Sequence, residues 1–247
     1  LVAAKRIILN KTEELQRIIA GRDKLYSVIA HDLRSPMGSI KMVLNMLMLN
    51  LPVEKIGGEM YELLTMANRT TEDVFSLLDN LLKWTKSQIG NLNVVYQDVD
   101  AVEVVDSVID VFNMVAGLKK ITIREEKPEK LPVCTDIDML KTIIRNLLSN
   151  AIKFSNENSE VLVKMEEQGD TVVVSVKDSG CGIDEEGQKK LLHTDTHFST
   201  FGTNNEEGSG LGLLLCQDFA VKSGGKLWFT SKKGEGSTFY FSIPLKK

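Results

Sequence analysis

The feature that most constrains this fold is a change in hydrophobic spacing near residue 93. Before it, apolar residues recur at steps of three and four, which is the repeat of an α-helix. The first stripe comprises Ile29, Leu33, Met37, Ile40, Leu44, Leu47 and Leu51. After a turn signal at "NLPVEKIGGE", a second stripe runs from Met60 to Leu81. The pattern predicts an antiparallel helical hairpin, and a second copy would cover its remaining apolar face in a dimeric four-helix bundle.

A proline lies inside the first helical stripe. Pro36 has no N–H to donate to the carbonyl of Asp32, and its ring crowds that carbonyl. We therefore expect the helix to bend or loosen in the turn that follows His31.

From about residue 93, strand-like alternation replaces the helical spacing. "LNVVYQDVD" and "KKITIREE" alternate, Gly169-Asp170 joins two apolar strands, and "GKLWFTSKKGEGSTFYFSIP" predicts a last hairpin. "DIDMLKTIIRNLLSNAIKFS" predicts a helix capped by Asp136, and a second helix is expected from Ser209 to about Lys222, after a loop from about Asp184 to Gly208. This mixed order predicts an α/β sandwich of the α+β class, with helices on one face of a sheet. The predicted domains are residues 1–92 and 93–247.

The composition excludes several classes of protein. The formal net charge of −4 gives no basic footprint, so we expect no nucleic-acid binding. The three cysteines are far apart and lack CxxC spacing, which is typical of reduced thiols and not of a disulfide framework or a zinc site. No apolar run is long enough for a membrane span. We expect a cytoplasmic piece of a larger protein, with inner-membrane anchoring of the whole left open.

Three glycine clusters in the second half need a common explanation: "DSGCGI", "GSGLGL" and "GEGSTF". A single glycine turn is weak evidence, because glycine is the default wherever φ is positive. "GSGLGL" is more specific, because at the start of a helix it leaves free N–H groups and the positive end of the helix dipole for an anion. It is not a Walker loop, since no Gly-Lys-Ser or Gly-Lys-Thr follows.

The helix before these clusters carries an unusual polar stripe. Asn146, Asn150 and Lys153 lie at positions i, i+4 and i+7, hence on one face. One interpretation is an ordinary solvated surface. The other is a Mg²⁺–phosphate site, because magnesium prefers oxygen ligands and relies mostly on water and substrate phosphates.

Five segments, in order along about residues 26–245, together resemble the sequence boxes of a known protein family. "SVIAHDLRSP", "NLLSNAIKFS", "DSGCGI", "GSGLGL" and "GEGSTF" resemble the H, N, G1, G2 and G3 boxes of bacterial two-component sensor histidine kinases. The resemblance implies a dimerisation and histidine-phosphotransfer hairpin over residues 1–92. It implies an ATP-binding domain of the gyrase, Hsp90 and MutL type over residues 93–247. The implied activity is autophosphorylation from ATP, followed by transfer to an aspartate of a response regulator receiver domain.

The same resemblance implies roles for individual residues. His31 matches the phosphoacceptor, Asp32 the general base, and Ser35 a position associated with phosphatase activity, where many relatives have threonine. Asn150 matches the magnesium-binding asparagine, and Asp178 the aspartate that binds the adenine amino group. The full set of implied nucleotide-binding residues is Asn146, Asn150, Lys153, Phe154, Asp178, Gly180, Gly182, Ile183, Thr203, Gly208, Ser209, Gly210, Leu211, Gly212 and Thr238.

The implied lid over the phosphates departs from the commoner pattern. It reads "HTDTHFSTFGTNNEEGSGLGL", so Phe198 and Phe201 would stand in for an aromatic-rich segment. His193 and His197 have the i, i+4 spacing of helical metal ligands but no HExxH glutamate, and we interpret them as ordinary polar residues. Cys181 is interpreted as a space-filling residue of the adenine pocket.

Two alternative functions stay open from the sequence. One is an ATPase of the gyrase–Hsp90 type with a conformational output, which the segment from His31 to Pro36 argues against. The other is a dimeric scaffold or phosphatase-dominated regulator without kinase activity, which Asn150, Asp178 and the intact second glycine cluster argue against. The stimulus, the cognate regulator and the choice between cis and trans autophosphorylation are not encoded in any recognisable feature.

Overall fold

The computed structural model describes residues 2–51, 57–88, 94–191, 202–203 and 210–245. The chain divides into two compact units, Leu1–Asn93 and Val94–Lys247. None of the helices in the described ranges is long and apolar enough to cross a membrane.

The first unit consists of two long helices that pack along each other. Helix α1 spans Val2–Asn50 and helix α2 spans Gly58–Gln88. Ala30 of α1 is buried against Leu78 and Leu82 of α2, with Met37 packed beside them. Lys41, further along α1, pairs with Glu72 at 3.3 Å, so rising numbers in α1 meet falling numbers in α2. The predicted antiparallel arrangement is confirmed for this pair of helices.

The surface that α1 presents to α2 differs from the predicted stripe. Ile29, Leu33 and Ile40, all members of that stripe, are exposed in a single hairpin. The buried contact falls on Ala30 instead, because two helices bury only one flank of each apolar band. Helix α1 stays helical on both sides of Pro36, so the proline does not end it.

The second unit is built on a mixed five-stranded sheet. The seven strands of the unit, five of them in this sheet, are β1 Gln97–Asp100, β2 Thr122–Glu126, β3 Pro132–Thr135, β4 Glu160–Gln168, β5 Thr171–Lys177, β6 Leu227–Lys232 and β7 Gly236–Pro244. The order in the large sheet is β2-β4-β5-β7-β6, with β2 parallel to β4 and the other pairs antiparallel. Strands β1 and β3 form a separate antiparallel pair.

Helices and sheet enclose one hydrophobic core. The helices are α3 Ala101–Leu118, α4 Ile137–Phe154, α5 Glu185–Lys190 and α6 Gly212–Lys222. Alternate sheet residues such as Val163, Val174 and Phe241 are buried, and α4 contacts α3, α6 and strand β5. Asp136 caps α4 as predicted, because its Oδ1 accepts the N–H groups of Asp138 and Met139. The predicted α/β sandwich is confirmed.

The element pattern differs from the prediction in several places, and the short strand β3 is one of them. Helix α3 was not expected, because valines on most of its sides hide the helical spacing. The segment predicted as a loop from about Asp184 contains α5, and Asp184 caps it by accepting the Gly187 N–H at 2.9 Å. Helix α6 begins at Gly212 and not at Ser209, because Gly210 has a φ of +67° that a right-handed helix does not allow.

Candidate functional site

The end of strand β5 places a carboxylate in the protein interior. Asp178 is buried, and its Oδ1 accepts the N–H groups of Gly180 at 2.9 Å and Ser237 at 3.2 Å. Burial raises the pKa of Asp178, while these backbone hydrogen bonds oppose the rise. The side chain is therefore fixed in orientation by two separate backbone segments.

Two glycines allow those backbone segments to approach each other. A Cβ on Gly180 would lie 2.1 Å from the Phe154 carbonyl oxygen, where no side chain fits. Gly236 has a φ of +100°, and a Cβ there would lie 2.1 Å from the Asp178 carbonyl oxygen. The first and third glycine clusters and the end of α4 thus meet backbone to backbone around Asp178.

The rest of the first glycine cluster packs against the last hairpin. Gly182 lies against the Lys232 carbonyl with a φ of +61°, and the Ile183 N–H donates to Ser231 Oγ at 2.8 Å. Ser231 Oγ lies 2.9 Å from Ser237 Oγ, so these hydroxyls link both clusters. Thr238 is half-buried in β7 opposite Lys177 and Thr230, and the structure brings its neighbour Ser237 to Asp178.

The polar face of α4 meets the start of α6. Asn146, Asn150 and Lys153 are all half-buried. Asn146 Nδ2 donates to the Thr142 carbonyl at 2.9 Å, and its Oδ1 would lie 2.6 Å from a Cβ on Gly212. The second glycine cluster therefore lies directly beside the asparagine face, as the resemblance implies for one site.

The beginning of α6 has the features of an anion-binding helix end. Its N-cap residue is Leu211, whose side chain has no polar atom to cap the helix, and both Leu211 and Gly210 are half-buried. Gly208 and Ser209, predicted members of this cluster, lie outside the described residues.

The predicted phosphoacceptor lies on α1 in the first unit. The His31 and Asp32 side chains are 79% and 72% exposed, and His31 Nδ1 lies 3.2 Å from Asp32 Oδ1. Ser35 is exposed one turn further on, and its carbonyl accepts a hydrogen bond from Ser39 Oγ at 3.2 Å. His193, His197, Phe198 and Phe201 lie outside the described residues.

Comparisons with known proteins identify the family. Residues 135–247 match the family described as histidine kinase-, DNA gyrase B-, and HSP90-like ATPase. The chain is 29% identical over 238 residues to the adaptive-response sensory kinase SasA of Crocosphaera subtropica, covering 94% of this chain and 62% of that protein. It is 33% identical over 253 residues to the sensor protein KdpD of Clostridium acetobutylicum, covering 98% of this chain and 27% of that protein. The chain thus contains an ATPase domain of this kind, and its relatives support the catalytic core of a two-component sensor kinase.

Solved structures agree with this assignment of the kinase core. A nucleotide-free catalytic domain of the histidine kinase ThkA matches 61% of this chain and 97% of its own, with 29% identity and a TM-score of 0.53. Full-length ShkA in complex with AMPPNP matches 91% of this chain and 46% of its own, with a TM-score of 0.69. At 21% identity, that second likeness concerns the fold alone. The chain spans about 60% of the length of the SasA proteins that it matches.

Thr203 joins the end of α4 in this kinase core. Its N–H donates to the Lys153 carbonyl at 3.1 Å, and its Oγ1 donates to the Ser155 carbonyl at 2.7 Å. The Lys153 ammonium lies 4.9 Å from the centre of the Phe154 ring, a cation–π contact. Three of the predicted nucleotide-binding residues are thus connected through one helix terminus.

Sequence reasoning did not single out three residues of the kinase core that touch predicted site residues. Ser231 lies in a strand, where a serine gives no motif beyond alternation. Ser237 lies within the third glycine cluster, where the resemblance implied a role for its neighbour Thr238 instead. Lys119 is 8% exposed and donates from Nζ to Thr203 Oγ1 at 2.6 Å, although it sits in "LKKITI", which reads as a surface segment. A lysine just after a helix end would have been a signal, but helix α3 itself was not predicted.

Proposed function

We propose that this kinase core transfers the γ-phosphoryl group of ATP to His31 and then to an aspartate of a response regulator receiver domain. One observation carries the proposal: a single chain holds a buried, backbone-fixed Asp178 within an ATPase-family domain and an exposed His31–Asp32 pair on a helix. The names of the sensory kinases that it resembles support the same activity.

Asp178 is suited to recognise the adenine amino group. Both backbone hydrogen bonds to the side chain go to Oδ1, and no residue in the described ranges donates a hydrogen bond to Oδ2. A fixed carboxylate oxygen accepts a hydrogen bond from an exocyclic N–H₂ without further ordering cost. The close backbone contacts at Gly180 and Gly236 keep Asp178 in this position, because no side chain separates the segments that meet there.

The asparagine face of α4 fits a magnesium–phosphate group. The described residues hold no cluster of three or more His, Cys, Asp or Glu side chains that could bind a metal alone. Neutral amide oxygens suit a Mg²⁺ whose other ligands are phosphates and water, and we assign Asn150 as its protein ligand, with Asn146 beside it. Bound there, the ion would offset negative charge on the phosphates. Lys153 and the N-terminal end of α6 add positive charge at the same helix face.

The His31–Asp32 pair sets up the nucleophile. With Nδ1–H directed at Asp32 Oδ1, the lone pair resides on Nε2 of the imidazole. Nε2 attacks the γ-phosphorus, the N–P bond forms, and the bond to the ADP oxygen breaks with its electrons leaving on ADP. Asp32 holds the Nδ1 proton and stabilises the positive charge that develops on the ring.

In this proposal, residues 1–92 form the dimerisation and phosphotransfer domain. Residues 93–247 form the ATP-binding domain. Exposed apolar side chains on both helices support a homodimer, and a groove of about 460 Å³ between them is lined by Met37, Leu63, Met66 and Val74. A second hairpin would bury this groove. The receiver domain would dock near His31, where the exposed Ser35 hydroxyl is available for a phosphatase step.

The test is incubation of the wild-type chain and His31→Gln with γ-labelled ATP. We expect acid-labile, alkali-stable phosphate on the wild-type protein and none on the variant, with equal ATP affinity by calorimetry. Persistent labelling of His31→Gln would remove His31 from this role. ATP hydrolysis without any protein-bound phosphate would instead support an ATPase with a conformational output.

A further inference from the structure

Lys119 stands out because it is a lysine buried to more than nine-tenths at the end of α3. Its Nζ donates to the carbonyls of Ile152 at 3.0 Å and Lys153 at 2.9 Å, and to Thr203 Oγ1 at 2.6 Å. Burying an ammonium is unfavourable unless its donors are satisfied, and these three acceptors satisfy them.

Two of the acceptors are carbonyls at the C-terminus of α4, where a helix leaves four carbonyls without intrahelical partners. All four have partners here, and the partners come from three residues. Ser155 N–H takes the Ala151 carbonyl, Lys119 takes those of Ile152 and Lys153, and Cys181 N–H takes that of Phe154 at 3.3 Å. The positive charge of Lys119 also faces the negative end of the helix dipole.

This terminus is a junction between segments that carry predicted nucleotide-binding residues. Phe154 contacts the first glycine cluster through Cys181 and Gly180, while Lys153 and Ser155 hold Thr203. Lys119 binds both sides of the junction at once, because it reaches α4 and Thr203 through the same ammonium.

We propose that Lys119 is a positioning residue for nucleotide binding, which holds the end of α4 and Thr203 in the arrangement that ATP requires. The inference rests on the proposed function and adds a residue from outside the five sequence boxes. Lys119 acts through Lys153, Phe154 and Thr203, and it makes no contact with the substrate itself.

The test compares two isosteric pairs in the full chain. Lys119→Met removes the ammonium and keeps the length, while Lys120→Gln is the matched control on an adjacent, exposed lysine. Thr203→Val removes the hydroxyl, while Thr203→Ser keeps it. Each variant is measured for the ATP dissociation constant by calorimetry, for KM and kcat of autophosphorylation, and for thermal stability without nucleotide.

We expect Lys119→Met and Thr203→Val each to raise the ATP dissociation constant and KM about tenfold, with kcat at saturating ATP nearly unchanged. The double variant should be no worse than the more affected single variant, because both remove one shared contact. Lys120→Gln should stay within about twofold of wild type, and Thr203→Ser should raise the ATP dissociation constant less than Thr203→Val does.

Two results would overturn the proposal. One is a Lys119→Met chain with lowered thermal stability but wild-type ATP affinity and KM. That result would mean that Lys119 only caps the helix and has no effect on nucleotide binding. The other is additivity of the two substitutions. If Lys119→Met does not fold, wild-type ATP affinity in Thr203→Val would also overturn the proposal. A wild-type chain that binds ATP but forms no phosphohistidine would refute the proposed function and leave the affinity comparison for Lys119 intact.

Discussion

The two units position their reactive groups in opposite ways. In the second unit, Asp178 is buried and fixed by backbone donors from two segments, and glycines let those segments touch. In the first unit, His31 and Asp32 are exposed on one helix and held by a single contact between them. The difference teaches that the proposed nucleotide site is assembled by the fold itself, while the proposed phosphoacceptor is exposed to groups that arrive from elsewhere.

The hydrophobic cores show the same contrast. The sandwich buries alternate residues of its central strands, whereas the described part of the hairpin leaves residues such as Leu63 and Met66 more than half exposed. A unit that closes its own core tolerates little change at tight positions, and a unit with uncovered apolar surface depends on association. Four substitutions test this contrast, and the two tryptophans, Trp84 and Trp228, report separately on the two units when the other is replaced by Phe.

The largest expected effect is at Gly236 in the second unit. Gly236→Ala should lower the free energy of unfolding of this unit by about 3 kcal/mol or more, because its Cβ would collide with the Asp178 carbonyl at a positive φ. Urea unfolding followed by Trp228 fluorescence in a Trp84→Phe background measures the change.

Gly234→Ala is the matched control. Gly234 also has a positive φ, of +82°, but nothing lies within 4 Å of its Cβ position, so about 1–2 kcal/mol of strain is expected. Equal losses at Gly234 and Gly236 would contradict the account, because the close approach would then contribute nothing.

A change of opposite sign is expected at Pro36 in the first unit. Pro36→Ala should raise the free energy of unfolding of the hairpin by up to about 3 kcal/mol, because it restores a hydrogen bond to the Asp32 carbonyl and removes the ring clash. Trp84 fluorescence in a Trp228→Phe background reports the transition. ATP affinity should not change, and we expect the ratio of phosphorylation to dephosphorylation to shift; a loss of hairpin stability would contradict this assignment.

A smaller effect is expected at the groove of the hairpin. Leu63→Asp should weaken self-association by about tenfold or more, since it places a charge at a surface that a second hairpin would bury. Sedimentation equilibrium measures the dimer constant. Met114→Lys is the control, because Met114 is 76% exposed on α3 of the second unit. The same loss in both variants, or a monomeric wild type, would rule out the hairpin as the dimer interface.

The smallest effect is expected at Asp178. Asp178→Asn should weaken ATP binding by about tenfold, which corresponds to roughly 1.5 kcal/mol, since it replaces a charge-assisted acceptor by a neutral one. Stability should not fall with it. Because burial raises the pKa of Asp178 in the native state, the native protein binds this proton more tightly than the unfolded chain does.

That shift has a definite sign with pH. The cost of the buried charge is fully present above the native pKa of Asp178 and disappears as the pH falls below the unfolded value. The unfolding free energy of Asp178→Asn should therefore equal or exceed that of wild type at pH 7, and the gap should narrow in acid. A wild-type advantage that grows with pH would contradict the direction of the pKa shift.

The sequence predicted the parts of this fold that repeat or punctuate regularly. Helical spacing predicted the hairpin, Asp136 predicted the start of α4, and Gly169-Asp170 predicted the turn between β4 and β5, where Gly169 has a φ of +63°. Local signals of this kind act over a few residues, so the sequence displays them directly.

The features that were missed depend on contacts between distant residues. The burial of Lys119 requires α3 and the end of α4 to pack together, and its sequence neighbours do not show this. The role of the Ser237 backbone depends on the register of β7 against β5. Helix α3 is valine-rich, and only its packing against α4 distinguishes a buried helix from a strand.

The most direct test of the divided roles measures ATP affinity and phosphohistidine formation side by side in His31→Gln and Asp178→Asn. The account predicts wild-type affinity with no phosphohistidine for His31→Gln. For Asp178→Asn it predicts weakened affinity, with phosphohistidine formation recovering at high ATP. Labelling of His31→Gln, or unchanged ATP affinity in Asp178→Asn, would contradict the assignment of the nucleophile to the hairpin and the nucleotide to the sandwich.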